Sequence, residues 1–261
     1  MTTTLPTIRE LIDRGALFVI NHSAGKDSQA MTRVVRSIVP ASQIIVIHAE
    51  LPGVDWEGLE DHIRATVGDL PVYTCRALHT FFDVVERRGR FPSPQQRWCT
   101  SDLKRGPITK VILQVMKERG LKLVVNCEGL RAEESADRKK LQPLVDLNLK
   151  LDKKGNKSHA LSKAGRQAYQ WLPIHGWSTE QVFRAIRGAG QEPHPAYAAG
   201  MTRLSCCFCI MAKKPDLRIA AGLKPELARR YAETERRLDQ TMLMPKNGVR
   251  EFLDEWLPLA A

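Results

Sequence analysis

Residues 16–35 confine this chain to a narrow set of folds. An apolar run, Ala16-Leu17-Phe18-Val19-Ile20, leads into the loop Ser23-Ala24-Gly25-Lys26-Asp27-Ser28. A stretch of helical character, Gln29-Ala30-Met31-Thr32-Arg33-Val34-Val35, follows it. A buried strand, a tight polar loop and a helix N-terminus bring free backbone N–H groups and the positive end of a helix dipole to one point, where phosphate binds well. Gly25 permits close backbone approach, Lys26 adds a cation, and Ser23 and Ser28 add hydroxyl donors. Asp27 beside that lysine points to a helix cap or a metal contact rather than a purely attractive anion trap. The loop is too short for Gly-x-x-x-x-Gly-Lys-Ser/Thr and is not Gly-x-Gly-x-x-Gly.

The first half of the chain alternates between two periodicities. Strands are predicted at 16–21, 43–48, 71–75 and 121–126, and helices at 28–38, 56–67, 78–88 and 102–118. Such alternation implies an α/β fold: a Rossmann-like, doubly wound, mainly parallel sheet covered on both faces. Ligands in these folds bind beyond the carboxyl ends of the strands. Three polar segments fall at such ends: the 23–28 loop, His48-Ala49-Glu50, and Cys127-Glu128-Gly129-Leu130-Arg131.

Residues 150–166 break the pattern. Lys150, Lys153, Lys154, Lys157, Lys163 and Arg166 stand against one acid, Asp152, among Gly155, Asn156, Ser158 and Gly165. They read as a mobile basic loop or a small hairpin, either a solvated surface or an arm for a polyanion. A helix is predicted over 178–188, capped by Ser178 or Thr179. Residues 212–257 read as mostly helical, with one charged helix running from Pro225 to about Gln240.

With 261 residues, 43% of them hydrophobic and 26% charged, the chain suits one large domain or one domain with an appended lobe. A net charge of +11 favours phosphate-bearing partners without separating nucleotide from nucleic acid. The first fifteen residues lack an apolar signal core, and no apolar run reaches membrane-spanning length, so a cytoplasmic protein with no membrane partner is expected.

Six cysteines in a chain of this size do not suggest a secreted disulfide scaffold. In Cys206-Cys207-Phe208-Cys209, the thiolates of Cys206 and Cys209 have the spacing to bind one metal centre from a single turn. Cys99 lies between Arg97 and Lys104 in a segment entering a helix, where basic neighbours would lower its pKa. Cys99, Cys206 and Cys209 are the candidate ligands of a [4Fe–4S] cluster with one open iron, and Cys207 is the candidate fourth ligand. Zinc with His175 or His194, a redox disulfide, and plain buried thiols are the alternatives. Cys75 and Cys127 are read as packing residues.

Taken together, these motifs resemble the PAPS reductase-like branch of the PP-loop ATP pyrophosphatase (adenine nucleotide alpha hydrolase-like) superfamily. The hexapeptide resembles the PP-loop Ser-Gly-Gly-x-Asp-Ser, with Ala24 for the first glycine, a neutral exchange unless that position needs positive φ. The resemblance runs over roughly residues 15–215 and includes five further segments in order: Arg97-Trp98-Cys99-Thr100 with Lys104 and Pro107; Gly129 to Ser135 with Arg138; Pro173-Ile174 with Trp177; Tyr197, Gly200 and Arg203; then Cys206 and Cys209. It implies a nucleotide-binding domain over 1–215, holding the cysteines, and a helical extension over 216–261.

Such families include sulfonucleotide reductases and ATP pyrophosphatases that activate an acceptor for sulfur insertion, among them DNA phosphorothioation enzymes. Assimilatory reductases resembling this fold carry a catalytic cysteine in a Glu-Cys-Gly-Leu-His tail, whereas here no cysteine follows Cys209. The resemblance therefore implies an ATP pyrophosphatase-type enzyme that uses ATP, Mg²⁺ and a [4Fe–4S] cluster to prepare an acceptor, a nucleic acid, for sulfur transfer. A cysteine desulfurase or other sulfur donor is the implied partner; the oligomeric state is left open. Ser23, Gly25, Lys26, Asp27 and Ser28 would hold the pyrophosphate and its magnesium. Glu50 would contact metal or ribose, and Lys104, Arg131 and Arg138 would neutralise phosphate oxygens. Lys26, Asp27 and Arg131 are the candidate catalytic residues. The alternatives are a PAPS or APS reductase releasing sulfite, and a non-catalytic nucleotide- or nucleic-acid-binding module with a structural zinc.

Overall fold

Strong β-branched and aromatic runs build one sheet from β1 (Leu17–Asn21), β2 (Ile44–Ala49), β3 (Val72–Cys75), β4 (Leu123–Cys127), β5 (Leu144–Asp146) and β6 (Gln167–Trp171), in the order β3-β2-β1-β4-β6-β5. The computed structural model describes residues 5–245 and 247–257. β1 runs parallel to β2 and β4, and β4 parallel to β6; the short β5 is antiparallel to β6. The helices are α1 (Ile8–Asp13), α2 (Lys26–Ile38), α3 (Leu59–Val67), α4 (Phe81–Arg88), α5 (Trp98–Thr100), α6 (Gly106–Glu118), α7 (Ala136–Lys139), α8 (Thr179–Arg187), α9 (Lys214–Leu223) and α10 (Pro225–Leu238). This is the mainly parallel α/β architecture expected from the sequence.

Every residue of β2 and all but the last of β1 are buried, as a sheet covered on both faces requires. Leu17, Val19, Ile45, Ile47, Val124 and Ala168 share one core cluster with Ile112, Val115 and Met116 of α6. The chain leaves β1 for β2 and β3 on one side and returns to β4 on the other. The carboxyl ends of β1 and β4 therefore flank a topological switch point, the place where such sheets open a ligand crevice.

The chain crosses repeatedly between two compact units. The first takes the described residues up to 48, with 60–75 and 108–193; the second takes 49–59, 76–107 and the described residues from 194. The division expected at 215/216 falls inside the second unit, where α9 and α10 accompany the cysteine loop.

Several expectations need correction. β5 and β6 were not foreseen, because Gln167-Ala168-Tyr169-Gln170-Trp171 carries two polar residues in a strand whose neighbours supply its burial. The predicted 102–118 helix begins earlier, at α5, and passes through a π-helical turn over Ser101–Arg105 before α6. The predicted helix at 56–67 begins only at Leu59, as α3. After α10 the backbone is irregular apart from a short turn at Leu253–Glu255, so 212–257 is less helical than its composition suggests. The 150–166 segment takes the hairpin form: Leu151 bridges Lys157, and Asp152 Oδ1 accepts the N–H groups of Lys154 and Asn156. Its five lysines are exposed, whereas Arg166 donates back to the carbonyls of Leu161 and Ala160 and braces the loop. Residues 1–4 and 258–261, the ends of the polar N-terminal segment and of the tail without a cysteine, lie outside the described residues.

Glu235 on α10 gives the second unit a pH-dependent element. It is fully enclosed, and its carboxylate accepts the N–H groups of Met242 (2.5 Å) and Leu253 (2.6 Å). Burial outweighs those two bonds and pushes its pKa from 4.5 up to about 7. Folding therefore takes up a proton between those two values. The Glu235 contribution is complete below pH 4.5 and is lost as pH rises through about 7. Denaturant titrations at pH 5 and pH 8 should show Glu235→Gln losing about 1–3 kcal/mol of the wild-type decline in stability. Equal declines in the two proteins would refute this.

Candidate functional site

The loop between β1 and α2 is built around a helix start with no side-chain cap. Gly25 is the N-cap of α2 and, having no side chain, caps no helix N–H group. The first helical bond runs from Gln29 N–H to the Gly25 carbonyl, leaving the N–H groups of Asp27 and Ser28 at the open end of the dipole. Asp27 does not cap the helix, contrary to one sequence expectation. Its carboxylate lies between Lys26 Nζ at 3.1 Å and Arg131 Nε at 2.6 Å. The Ser28 hydroxyl donates to the Gly25 carbonyl at 2.8 Å and accepts from Ser23 N–H at 3.3 Å, so it shapes the loop; Ser23 is exposed.

Ala24 has φ +60°, the left-handed conformation that glycine tolerates best. The exchange at this position is therefore not neutral: an alanine there carries about 1–2 kcal/mol of backbone strain. His22, which the sequence reading overlooked, supports the strained turn. Its Nδ1 accepts the Ala24 N–H at 3.1 Å and lies 3.5 Å from the Ser28 hydroxyl. Burial, aided by the charges of His48 and His62, pushes the His22 pKa down to about 3, so the ring is a neutral acceptor. His48 in turn meets the His22 carbonyl at 3.0 Å, tying the end of β2 to the loop.

The segment after β4 presses on the same loop. A Cβ at Gly129 would stand 3.0 Å from both the carbonyl carbon and the oxygen of Asp27, so only glycine fits without displacement. Arg131, 2% exposed, commits its guanidinium to Asp27, to Glu133 (2.7 Å), to the Trp177 carbonyl (3.1 Å) and to the Thr179 hydroxyl (3.1 Å). Glu133 also accepts the Thr179 N–H at 2.6 Å, which fastens the start of α8. The expected direct phosphate contact of Arg131 is thus met in the structure by a buried clamp on Asp27. Arg138 pairs with Glu134, and its carbonyl meets His175 Nε2 at 2.9 Å.

The second unit contains the other expected residues. Glu50 is half-buried directly after β2. Hydrogen bonds from Cys207 N–H to the Val54 carbonyl (2.9 Å) and from Trp56 Nε1 to the Ser205 carbonyl (2.9 Å) fix the cysteine loop against residues 54–56. Cys206 and Cys209 act on each other's ionisation, the two thiols dividing one negative charge between them. The Cys206 side chain leads the effects that bring the Cys209 pKa down to about 5, with Met211 N–H (3.4 Å to Sγ) and Arg203 assisting; Cys206 is correspondingly raised. Cys99 is raised rather than lowered, a second correction: burial and the nearby Cys209 outweigh Thr100, Lys104 and Arg97. Burial likewise pushes Cys207 up to about 12. Lys104, in the π-helical turn, stays protonated because the thiols of Cys206, Cys209 and Cys99 together with Asp55 overcome its burial. Cys127 is buried at the end of β4 and Cys75 half-buried at the end of β3, as packing roles require.

The donor set was tested against the expected cluster. Among the described residues no three His, Cys, Asp or Glu side chains stand close enough to grip one ion, and the zinc alternatives find no support in the histidines. His175 lies in the first unit on the Arg138 carbonyl, and His194 Nδ1 accepts the Ala196 N–H. Two buried donors of the second unit, the Tyr231 hydroxyl and Trp98 Nε1, have no hydrogen-bond partner. The side chains as placed therefore do not show the fit that the expected cluster requires.

No described helix is long and apolar enough to cross a membrane. An uncharacterized 37.8 kDa protein in the gpa 5' region of Escherichia phage 186 is 32% identical over 157 residues, 60% of this chain and 42% of that protein. The chain thus spans less than half the length of this curated relative. Among solved structures, the phosphate complex of phosphoadenylyl-sulfate (PAPS) reductase from Candida auris is 13% identical, with 76% of this chain and 85% of that chain covered and a TM-score of 0.45. FMN adenylyltransferase from Candida glabrata, solved with FAD and inorganic pyrophosphate, is 13% identical over 73% of this chain and 55% of that chain, with a TM-score of 0.43. The phosphoadenosine phosphosulfate reductase domain profile matches residues 18–212. That match starts inside β1 and ends just past Cys209, taking in the 23–28 loop, Cys99, the Gly129–Arg131 corner and the cysteine loop: the chain belongs to the phosphoadenosine phosphosulfate reductase domain family.

Proposed function

We propose that this protein is an ATP pyrophosphatase-type enzyme that adenylates an acceptor, a nucleic acid, for sulfur transfer. The observation that carries the reading is the start of α2, which has no side-chain cap, with the backbone N–H groups of Asp27 and Ser28 at its open end and the Lys26 ammonium beside them. An acceptor oxygen attacks the α-phosphorus of ATP. A new P–O bond forms, the bond to the bridging oxygen of the β-phosphate breaks, and pyrophosphate leaves. Charge grows on the departing pyrophosphate, where the α2 amides and Lys26 stabilise it. Asp27, held by Arg131, would hold Mg²⁺. A sulfur nucleophile then displaces AMP from the activated acceptor.

Cys99, Cys206 and Cys209, with Cys207 as the candidate fourth ligand, would hold the [4Fe–4S] cluster, and Lys104 would balance its negative charge. When bound, that group supplies a site that receives or presents sulfide. The five exposed lysines of the 150–166 hairpin supply a polyanion-binding arm. A cysteine desulfurase or similar donor in the cytoplasm completes the scheme.

A second reading rests on Cys209. A thiol whose pKa is brought down by a neighbouring thiol is equipped, as thiolate, to attack the sulfonyl sulfur of PAPS or APS, with Cys206 as resolving partner. One assay separates the two. Anaerobic protein with Mg²⁺ and ATP should release pyrophosphate, and Asp27→Asn should reduce that release at least 100-fold. Sulfite released from PAPS with a dithiol reductant, and no pyrophosphate from ATP, would replace the first reading with the second.

A further inference from the structure

β5 forms one edge of the sheet, and a cavity of about 570 Å³ lies against it, between the end of α1 and the start of the 150–166 hairpin. It shares no lining residue with the 23–28 loop or the Gly129–Arg131 corner, so it is a site apart from the start of α2. Its volume falls in the range that takes organic ligands rather than single ions.

The cavity combines three chemistries. Val145, Leu149 and Tyr169 supply apolar surface, and Leu149 is 69% exposed, so part of that surface is uncovered. Asp146 and Gln167 supply polar atoms in fixed roles. Asp146 Oδ1 accepts the Asn148 N–H at 2.7 Å and the Asn148 side-chain amide at 2.5 Å, which holds the carboxylate in one orientation. Gln167 Oε1 accepts from the Arg14 guanidinium, which leaves the Gln167 amide N–H groups as donors. Arg14 and Lys150 add positive charge, and Lys150 leads into the hairpin that exposes Lys153, Lys154, Lys157 and Lys163.

An acyl chain would bury the Asp146 carboxylate against hydrocarbon, which is costly. A free phosphate would leave the apolar wall uncovered. A nucleobase meets all three chemistries: it has an apolar face, an edge of donors and acceptors, and phosphates that follow it along a strand. In a duplex that base is stacked and paired, so a cavity of this kind takes an unpaired one.

We propose that this cavity seats an unpaired base of a single-stranded nucleic acid whose phosphates run along the lysines of the 150–166 hairpin, making the β5 edge an anchoring site for the acceptor strand. The proposal rests on the nucleic-acid reading given above and adds to it the state of the strand and the place that holds it.

Fluorescence anisotropy of full-length protein without ATP tests it, using a labelled single-stranded 12-mer of deoxyadenosine, an abasic 12-mer, and the first strand annealed to its complement. Wild type should bind the single strand about tenfold more tightly than the abasic one, and more tightly than the duplex. Leu149→Gln should cut the preference over the abasic strand to about threefold or less, with the abasic affinity unchanged. Replacing Lys153, Lys154 and Lys157 together by glutamine should weaken both single strands alike and lower the slope of log affinity against log salt by about 2. Both variants should melt at the wild-type temperature, because the substituted side chains are exposed. Equal wild-type affinity for base-bearing and abasic strands, a preference for duplex, or an unchanged preference in Leu149→Gln would overturn the proposal and leave a nucleic-acid acceptor in place. Wild type that binds none of the three, even at low salt, would remove the nucleic-acid reading and this proposal together.

Discussion

Arg131→Met should lower the stability of the protein by about 3–5 kcal/mol, the usual consequence of removing one partner from a buried, hydrogen-bonded ion pair. The guanidinium side chain is 3% exposed and satisfies Asp27, Glu133, Trp177 and Thr179 at once. Methionine keeps much of the volume and none of the donors. Asp27 then keeps only Lys26, and the start of α8 loses its link to the loop. Arg131→Lys should rescue little, because an ammonium cannot reproduce a planar fork serving four acceptors. Denaturant unfolding checks the stability change. Pyrophosphate release, assayed at a temperature where the variant remains folded, should also fall, because Asp27 is no longer held in place. An unchanged unfolding midpoint would show that these bonds do not exist in solution.

The sequence disclosed the sheet wherever strands were continuously apolar. β1, β2 and β4 are buried on both faces and were legible as runs; β6 is broken by two glutamines, and three-residue β5 offers no periodicity. The phosphate-type loop was legible because strand, glycine and helix lie within twenty residues. Its supports were not. That His22 serves as a neutral acceptor, and that Arg131 is a clamp, follow from burial and from partners more than a hundred residues away, such as Asp27 for Arg131. The error over Cys99 has the same origin. Neighbouring basic residues suggested a low pKa, but burial and a second thiolate decide it.

Gly129→Val should abolish measurable nucleotide binding while leaving the sheet folded. The reason is space rather than backbone conformation. A Cβ at this position meets the Asp27 carbonyl carbon and oxygen at 3.0 Å and the Ser28 nitrogen at 3.3 Å, and all three are main-chain atoms with no rotamer to escape into. Overpacking by a single methyl costs about 1–3 kcal/mol, and valine adds two more carbons beside the first. The segment able to yield is the loop itself, which has no bonded helix turn before Gln29 and already carries strain at Ala24. The amides of Asp27 and Ser28 then leave their common focus. Gly129→Ala should weaken ATP binding roughly 10–100-fold and Gly129→Val by more, measured calorimetrically with magnesium present. The melting temperature should fall by only a few degrees, the reverse of the balance expected for Arg131→Met. Wild-type affinity in Gly129→Val would mean that the nucleotide does not bind at the start of α2.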